Sequence, residues 1–195
     1  MLENLSKYRI ILASNSPRRR ELLTGLDIDF EVKTIPGIDE SFPDTLIKEE
    51  IPVYIAMQKA SAYQNQLKED TLLITADTIV WLEGVVYNKP ENEREAKTML
   101  GILSGKTHEV ITGVCLTGLN KQQAFHVTSQ VKFAELQDDE IDYYVKKYKP
   151  YDKAGAYGVQ DWIGYIGAEE INGSFYNVMG LPVRVLYKYL KEWNV

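Results

Sequence analysis

One cysteine in 195 residues, Cys115, leaves no partner for an internal disulfide and rules out a cysteine-rich zinc site. Two scattered histidines, His108 and His126, are too few for a histidine metal cluster, so any metal would be held by carboxylates. Positive charge is in the minority. With 22 Lys and Arg against 28 Asp and Glu the net charge is -6, which disfavours a general grip on nucleic acid but leaves room for a local basic pocket drawing a compact anion. No run reaches the ~18 apolar residues of a membrane span. The opening MLENLSKYRIILAS has only a short apolar run and no cleavage-type region, so a cytoplasmic protein is expected. Repeats, low-complexity segments and separating linkers are also missing, which points to one domain over residues 1–195. What remains, 45% hydrophobic and 26% charged, is ordinary for a globular chain able to hold one core or two lobes sharing a sheet.

Residues 12–20, LASNSPRRR, are the stretch around which the chain is organised. An apolar strand, residues 8–13, runs into small hydroxyl and amide residues and then into Pro17 and three arginines that open a helix. Ser16 suits an N-cap and Pro17 the first helical position, so free N–H groups and the positive end of the helix dipole would lie beside the arginine forks. Phosphate oxygens match that combination. A plain capped surface helix with solvated arginines fits this segment equally well.

Further along, residues 28–34 alternate like a half-buried strand ending at Pro36 and Gly37, and the acidic Asp39 and Glu40 follow. A carboxylate just past a strand could hold a divalent cation, although solvation in a loop is the commoner fate. Helical spacing over residues 47–67 places Lys59 in an amphipathic helix, by default on its surface. The segment 71–82, TLLITADTIVWL, is apolar on both parities with Asp77 in its middle. A buried aspartate costs free energy unless paired, hydrogen-bonded or bound to metal. It could close a turn, but the apolar pattern continues through Ile79, Val80 and Trp81, which favours a functional role. Gly84 gives a hairpin turn into a strand ending at Lys89, and Pro90 begins the next helix, 91–103. LSGKTHE imitates a phosphate-binding loop, but its glycines are one residue too close and it runs helix to strand, so Gly105 is a helix-terminal glycine before a strand over 107–119. A second strand is expected over 123–133, a helix capped by Asp138 to about Lys147, glycine-rich loops from residue 150, and a last helix over 181–193.

Without further knowledge the parts describe a polyphosphate pocket with a carboxylate-bound metal. Their order is also distinctive: SNSPRRRELL, then DE, AMQKA, ADTIV, NKP, LSGKTHEVITGV, DKAGAYGVQ and NGSFYNVMGLP. Over essentially its whole length the chain resembles the Maf family of nucleoside triphosphate pyrophosphatases. The resemblance implies an α/β fold like that of the inosine triphosphate pyrophosphatase group, an elongated mixed β-sheet with flanking helices and two lobes around a cleft, usually as a homodimer. It also carries roles onto matching positions. Ser14, Ser16, Arg18 and Arg19 fall on the phosphate loop; Glu40, Lys59, Asp77 and Lys89 fall on the acidic and basic active-site positions, with Asp77 the proton acceptor. Arg18, Thr78 and Gln160 resemble the positions marking the dTTP and UTP subgroup. Asn15 and Asn88 stand where glycine is more usual, and neither carries a role.

These roles imply hydrolysis between the α and β phosphates, with Glu40 and Asp77 holding Mg²⁺ or Mn²⁺ while Arg18, Arg19, Lys59 and Lys89 bind the triphosphate. Whether Asp77 acts as base or chiefly as metal ligand stays open at this level. Two rivals follow from the same resemblance: a nucleotide-binding regulator of septum formation without turnover, and a pyrophosphatase for 7-methyl-GTP-type nucleotides. No nucleic-acid or membrane partner is expected.

Overall fold

Three consecutive apolar side chains, Ile10, Ile11 and Leu12, make β1 (Arg9–Leu12) a strand buried on both faces, the pattern of a parallel sheet interior. It pairs in parallel with β3 (Thr71–Leu82), Arg9 opposite Thr71 and Leu12 opposite Ile74, and β3 covers the segment whose apolar residues on both parities mark it as buried. The computed structural model describes residues 2–194. In chain order the remaining elements are α1 (Pro17–Thr24), β2 (Glu31–Val32), α2 (Glu50–Ser61), β4 (Val85–Tyr87), α3 (Glu93–Leu103), β5 (Thr107–Thr117), β6 (Gln122–Phe133), α4 (Asp138–Tyr148), α5 (Trp162–Gly167), β7 (Ala168–Asn172), α6 (Phe175–Met179) and α7 (Val183–Lys191). The mixed sheet has the order β2-β1-β3-β5-β6-β7, with β4 antiparallel to β3. The fold is therefore α/β with a mixed sheet and flanking helices.

The residues group into two compact units. The first holds the chain up to Asp77, Thr112–Val127 and everything from Gly180 onward; the second holds Thr78–Ile111 and Thr128–Met179. The divisions fall inside β3, β5 and β6.

In the first unit α2 packs Ala56 and Ala60 into a core with Ile11, Tyr63, Leu67, Leu73 and Cys115. The helix comes so close to β5 that a Cβ on Gly113 would lie 2.3 Å from the Pro52 carbonyl carbon. Backbone cannot rotate away as a side chain can, so Gly113→Ala is expected at or above the top of the ~1–3 kcal/mol range of overpacking. Urea unfolding checks this, and a variant as stable as the parent would contradict the close packing. Past α7, Trp193 is fully buried, and the Asn4 amide donates to the carbonyls of Leu190 at 2.9 Å and Trp193 at 3.0 Å.

Several boundaries depart from expectation for local reasons. The strand expected over 28–34 survives only as the exposed pair Glu31 and Val32 at the sheet edge, held by a two-pronged Arg9–Glu31 ion pair. The second helix starts late because Lys48 adopts a left-handed backbone, φ 47°, and its end loosens into a 3₁₀ turn, Gln64–Gln66. Glu83 (φ 52°) and Gly84 (φ 87°) form the tight β3–β4 turn, but β4 stops at Tyr87, so Lys89 lies beyond the strand. Asn92, whose side chain accepts from Glu95 N–H, caps α3 and leaves Pro90 outside it. Gln137, not Asp138, precedes α4, with its N–H donating to the Glu140 carboxylate at 2.8 Å. The region after residue 150, expected as loops, holds α5, β7 and α6. AEEIN gives β7 little apolar alternation, and it is a strand because β6 offers an open edge for antiparallel pairing.

Candidate active site

Because β1 and β3 are parallel and in register at Leu12 and Ile74, the turn after β1 and the Asp77 stretch of β3, which runs on as strand to Leu82, both follow the same end of the β1–β3 ladder. The carboxyl ends of parallel strands are where open α/β sheets present ligand-binding groups. Within the first unit the turn is built from its own hydroxyls. Ser14, buried, accepts from Ser16 N–H at 3.2 Å, and Ser16 caps α1 by accepting from Arg19 N–H at 3.4 Å, with Pro17 at the first helical position. Both hydroxyls thus accept from the loop, which leaves each O–H proton to be directed outward.

Arg19 turns back onto the scaffold. Its Nε donates to the Gly180 carbonyl and its Nη1 to the Ala76 carbonyl, each at 2.9 Å. Burial pushes the guanidinium down, and the charge of Asp77 opposes that shift. One of its donors therefore bolts the start of α1 to the residue before Asp77 and another ties it to Gly180, a role the sequence did not show.

Three of the expected residues meet beside this turn. Lys59, from the middle of α2, donates to Asp77 Oδ1 at 2.8 Å and lies 3.0 Å from Glu40 Oε1. Asp77 is 8% exposed in the interior of β3, so its charge has the partner that burial demands. Glu40 sits in the acidic loop after β2. There Asp39 is consumed locally, accepting from Ser41 N–H at 2.9 Å and Ser41 Oγ–H at 2.8 Å, contacts that hold its carboxyl below the ordinary range. Gln58 on α2, with its amide nitrogen turned toward the loop, reaches the carbonyls of Asp39 and Ser41. The loop is thereby tied down with Glu40 directed at Lys59.

Two carboxylates around one cation position suit a hard divalent ion such as Mg²⁺ or Mn²⁺, which takes one or two carboxylates and completes its shell with phosphate oxygens and water. Among the described residues no group of three or more His, Cys, Asp or Glu could make an all-protein metal cage.

Thr78, Lys89 and Gln160 belong to the second unit. Thr78 directly follows Asp77 in β3, and Lys89 is exposed after β4. Gln160 lies in the turn before α5. Its Oε1 is buried without a hydrogen-bond partner, although a buried amide oxygen ordinarily has one. The segment leading to it is a 3₁₀ turn, Ala154–Ala156, with left-handed residues at Gly155 and Ala156; a Cβ on Gly155 would come within 2.9 Å of the Val80 side chain. The fully buried Tyr144 on α4 holds the turn from below, accepting from Gly158 N–H at 3.1 Å and donating to Asp161 Oδ2 at 2.9 Å. Neither Tyr144 nor Asp161 stood out in the sequence; the only signal was a carboxylate next to Gln160.

His108, unremarkable as a sequence position, is 1% exposed, with Nε2 2.7 Å from the Tyr157 hydroxyl and edge-on contacts to Phe133 and Tyr157. Its Nδ1 is buried without a partner, and burial pushes the imidazole down to about 4 from 6.5. A histidine with a lower pKa folded than unfolded stabilises the fold fully above the unfolded value and loses that contribution as pH falls toward the folded one. Between pH 6.5 and 4 the loss is expected to be about 3 kcal/mol. Urea unfolding of wild type and His108→Gln at steps across that window reads it as a shrinking difference between the two. A difference that stays constant with pH would show that His108 does not titrate this way.

The geometry can be set beside known proteins. A family model described as Maf-like protein matches residues 9–193. The dTTP/UTP pyrophosphatase of Phocaeicola vulgatus is 65% identical over 192 residues, covering 98% of this chain and 100% of the relative. The protein of the same name from Parabacteroides distasonis is 63% identical over 193 residues, covering 99% and 100%. Among solved structures, the Staphylococcus aureus Ham1 protein superposes with a TM-score of 0.52 at 17% identity, covering 94% of this chain and 98% of that one, a likeness of fold alone.

Proposed function

The chain belongs to the Maf family, and on that footing we propose that it hydrolyses dTTP and UTP to the nucleoside monophosphate and pyrophosphate. The structural observation that carries this reading is the Lys59 ammonium held between Asp77 and Glu40 beside the serine-capped start of α1. Phosphate oxygens, a divalent ion and an attacking water need that mixture of charges in one place.

In this mechanism Ser14, Ser16, Arg18 and the first N–H groups of α1 hold the triphosphate, and Arg19 contributes by fixing the loop to β3. Lys59 engages Asp77 through Oδ1, so Oδ2 is the oxygen that takes the proton of a water attacking the α-phosphorus in line. As the new P–O bond forms, the bond to the α–β bridging oxygen breaks and pyrophosphate leaves, with Lys59 absorbing part of its charge. Glu40 and Asp77 would hold a Mg²⁺ or Mn²⁺ ion, which supplies neutralisation of the phosphate oxygens when bound. Lys89 as a phosphate ligand, and Thr78 and Gln160 as selectors of the base, are parts of the same proposal. The orphaned Gln160 Oε1 is an acceptor that the N3–H of uracil or thymine would satisfy.

No helix among the described residues is long and apolar enough to cross a membrane. On the family footing we propose a cytoplasmic homodimer acting on free nucleotides. A nucleotide panel with Mg²⁺ or Mn²⁺ and separate detection of pyrophosphate and orthophosphate tests the activity. Pyrophosphate from dTTP and UTP is the expected product. Orthophosphate as the primary product, or no turnover with any divalent ion, would overturn it.

A further inference from the structure

Gln160 alone cannot separate uracil from cytosine, because a glutamine amide rotated by half a turn presents the complementary donor and acceptor. Something must hold its orientation. Gln160 Nε2 and Asp161 Oδ2 both lie within 3.0 Å of the point that a Cβ on Gly158 would occupy. The amide nitrogen therefore faces the neighbourhood of a carboxylate, and the reversed amide would turn its oxygen toward that negative charge. With the Asp161 side chain only 18% exposed, water screens that repulsion incompletely.

The carboxylate itself is not free to wander. Tyr144 donates its only hydroxyl proton to Asp161 Oδ2 at 2.9 Å while accepting from Gly158 N–H at 3.1 Å, so one buried oxygen grips both ends of the turn that carries Gln160. Asp161 N–H closes the turn on the Gly158 carbonyl at 2.9 Å, and Lys153 stands 3.7 Å from the same carboxylate oxygen. Burial and the Asp161 charge push the Tyr144 hydroxyl well above its ordinary range, which keeps it a proton donor in this bridge.

We propose that Asp161, anchored by Tyr144, is a positioning residue that locks the Gln160 amide and sets the preference for uracil and thymine over cytosine. The inference rests on the pyrimidine reading above. In the locked orientation one amide hydrogen stays on the Asp161 side, the other meets O4 of the base, and the orphaned Oε1 meets N3–H. Cytosine presents an N4 amino donor and an N3 acceptor, and could be matched only by turning Oε1 toward Asp161.

The test compares wild type, Asp161→Asn and Tyr144→Phe in two ways: kcat/KM for UTP and CTP, and calorimetric affinity for their non-hydrolysable α,β-imido analogues. Asp161→Asn keeps the shape and removes the charge, so the UTP-to-CTP ratio is expected to fall at least ~10-fold, mainly by improvement of CTP, with kcat for UTP little changed. Tyr144→Phe should move the ratio in the same direction while lowering the melting temperature. A folded Asp161→Asn with an unchanged ratio in both assays overturns the inference and leaves the enzymatic reading standing. Equal loss on UTP and CTP in that variant also overturns it, since a general structural role has that signature. A wild type that binds the UTP analogue selectively without releasing pyrophosphate would overturn the enzymatic reading alone, with the affinity ratios still deciding the role of Asp161.

Discussion

Asp77→Asn is expected to fold normally and to lower kcat for dTTP by ~10²- to 10⁴-fold, the usual cost of losing a general base, and by more where metal binding is also lost. The substitution is nearly isosteric, and an amide oxygen can still accept from Lys59, so the 2.8 Å contact that stabilises the interior of β3 has a neutral substitute. What disappears is the charge that takes the water proton. Among the described residues the Lys59 ammonium then keeps Glu40, at 3.0 Å, as its anionic partner. Rapid-quench turnover at saturating Mg²⁺ and Mn²⁺ separates the two losses, because a metal-binding defect responds to metal concentration and a missing base does not. Near wild-type turnover in this variant would transfer proton acceptance to Glu40.

Gln160→Ala should act on choice more than on chemistry. A site built to hydrogen-bond its substrate can reject an analogue lacking the match by on the order of 10⁴, which bounds the dTTP-to-CTP discrimination that one locked amide can contribute. Truncation removes both hydrogen bonds to the base and should collapse most of that ratio, with kcat for dTTP at saturation falling far less. Competition assays with dTTP and CTP in one reaction read the ratio directly, and an unchanged ratio would remove Gln160 from base recognition.

The parts of the site legible in the sequence were those whose burial or backbone role conflicts with residue type. Asp77 stood out because an aspartate inside TLLITADTIVWL has to be explained, and Ser16 and Pro17 because caps are local chemistry. Glu40 was harder, since Asp39 beside it has the same charge; only Ser41 folding back onto Asp39 singles Glu40 out for Lys59. Arg19 looked, with Arg18, like a phosphate ligand, yet its side chain donates to main-chain carbonyls at Ala76 and Gly180, groups present at every position and so invisible to pattern reading. Tyr144 and Asp161 meet across separate elements, with nothing in spacing or composition to announce them. In the fold, long apolar periodicities such as β3 were readable, while β2 and β7 exist because a neighbouring edge recruits them.

The first unit has a consequence for synthesis. Its sheet starts with β1, but its closure needs Asn4 to reach Leu190 and Trp193, and Arg19 to reach Gly180. Those partners emerge from the ribosome only after the whole of Thr78–Ile111 and Thr128–Met179 has been made. The unit that begins first must therefore finish last, although domains generally complete in order from the N-terminus during translation. Until residue 193 has appeared, Asn4 lacks both of its carbonyl partners and the start of the chain waits without this closure.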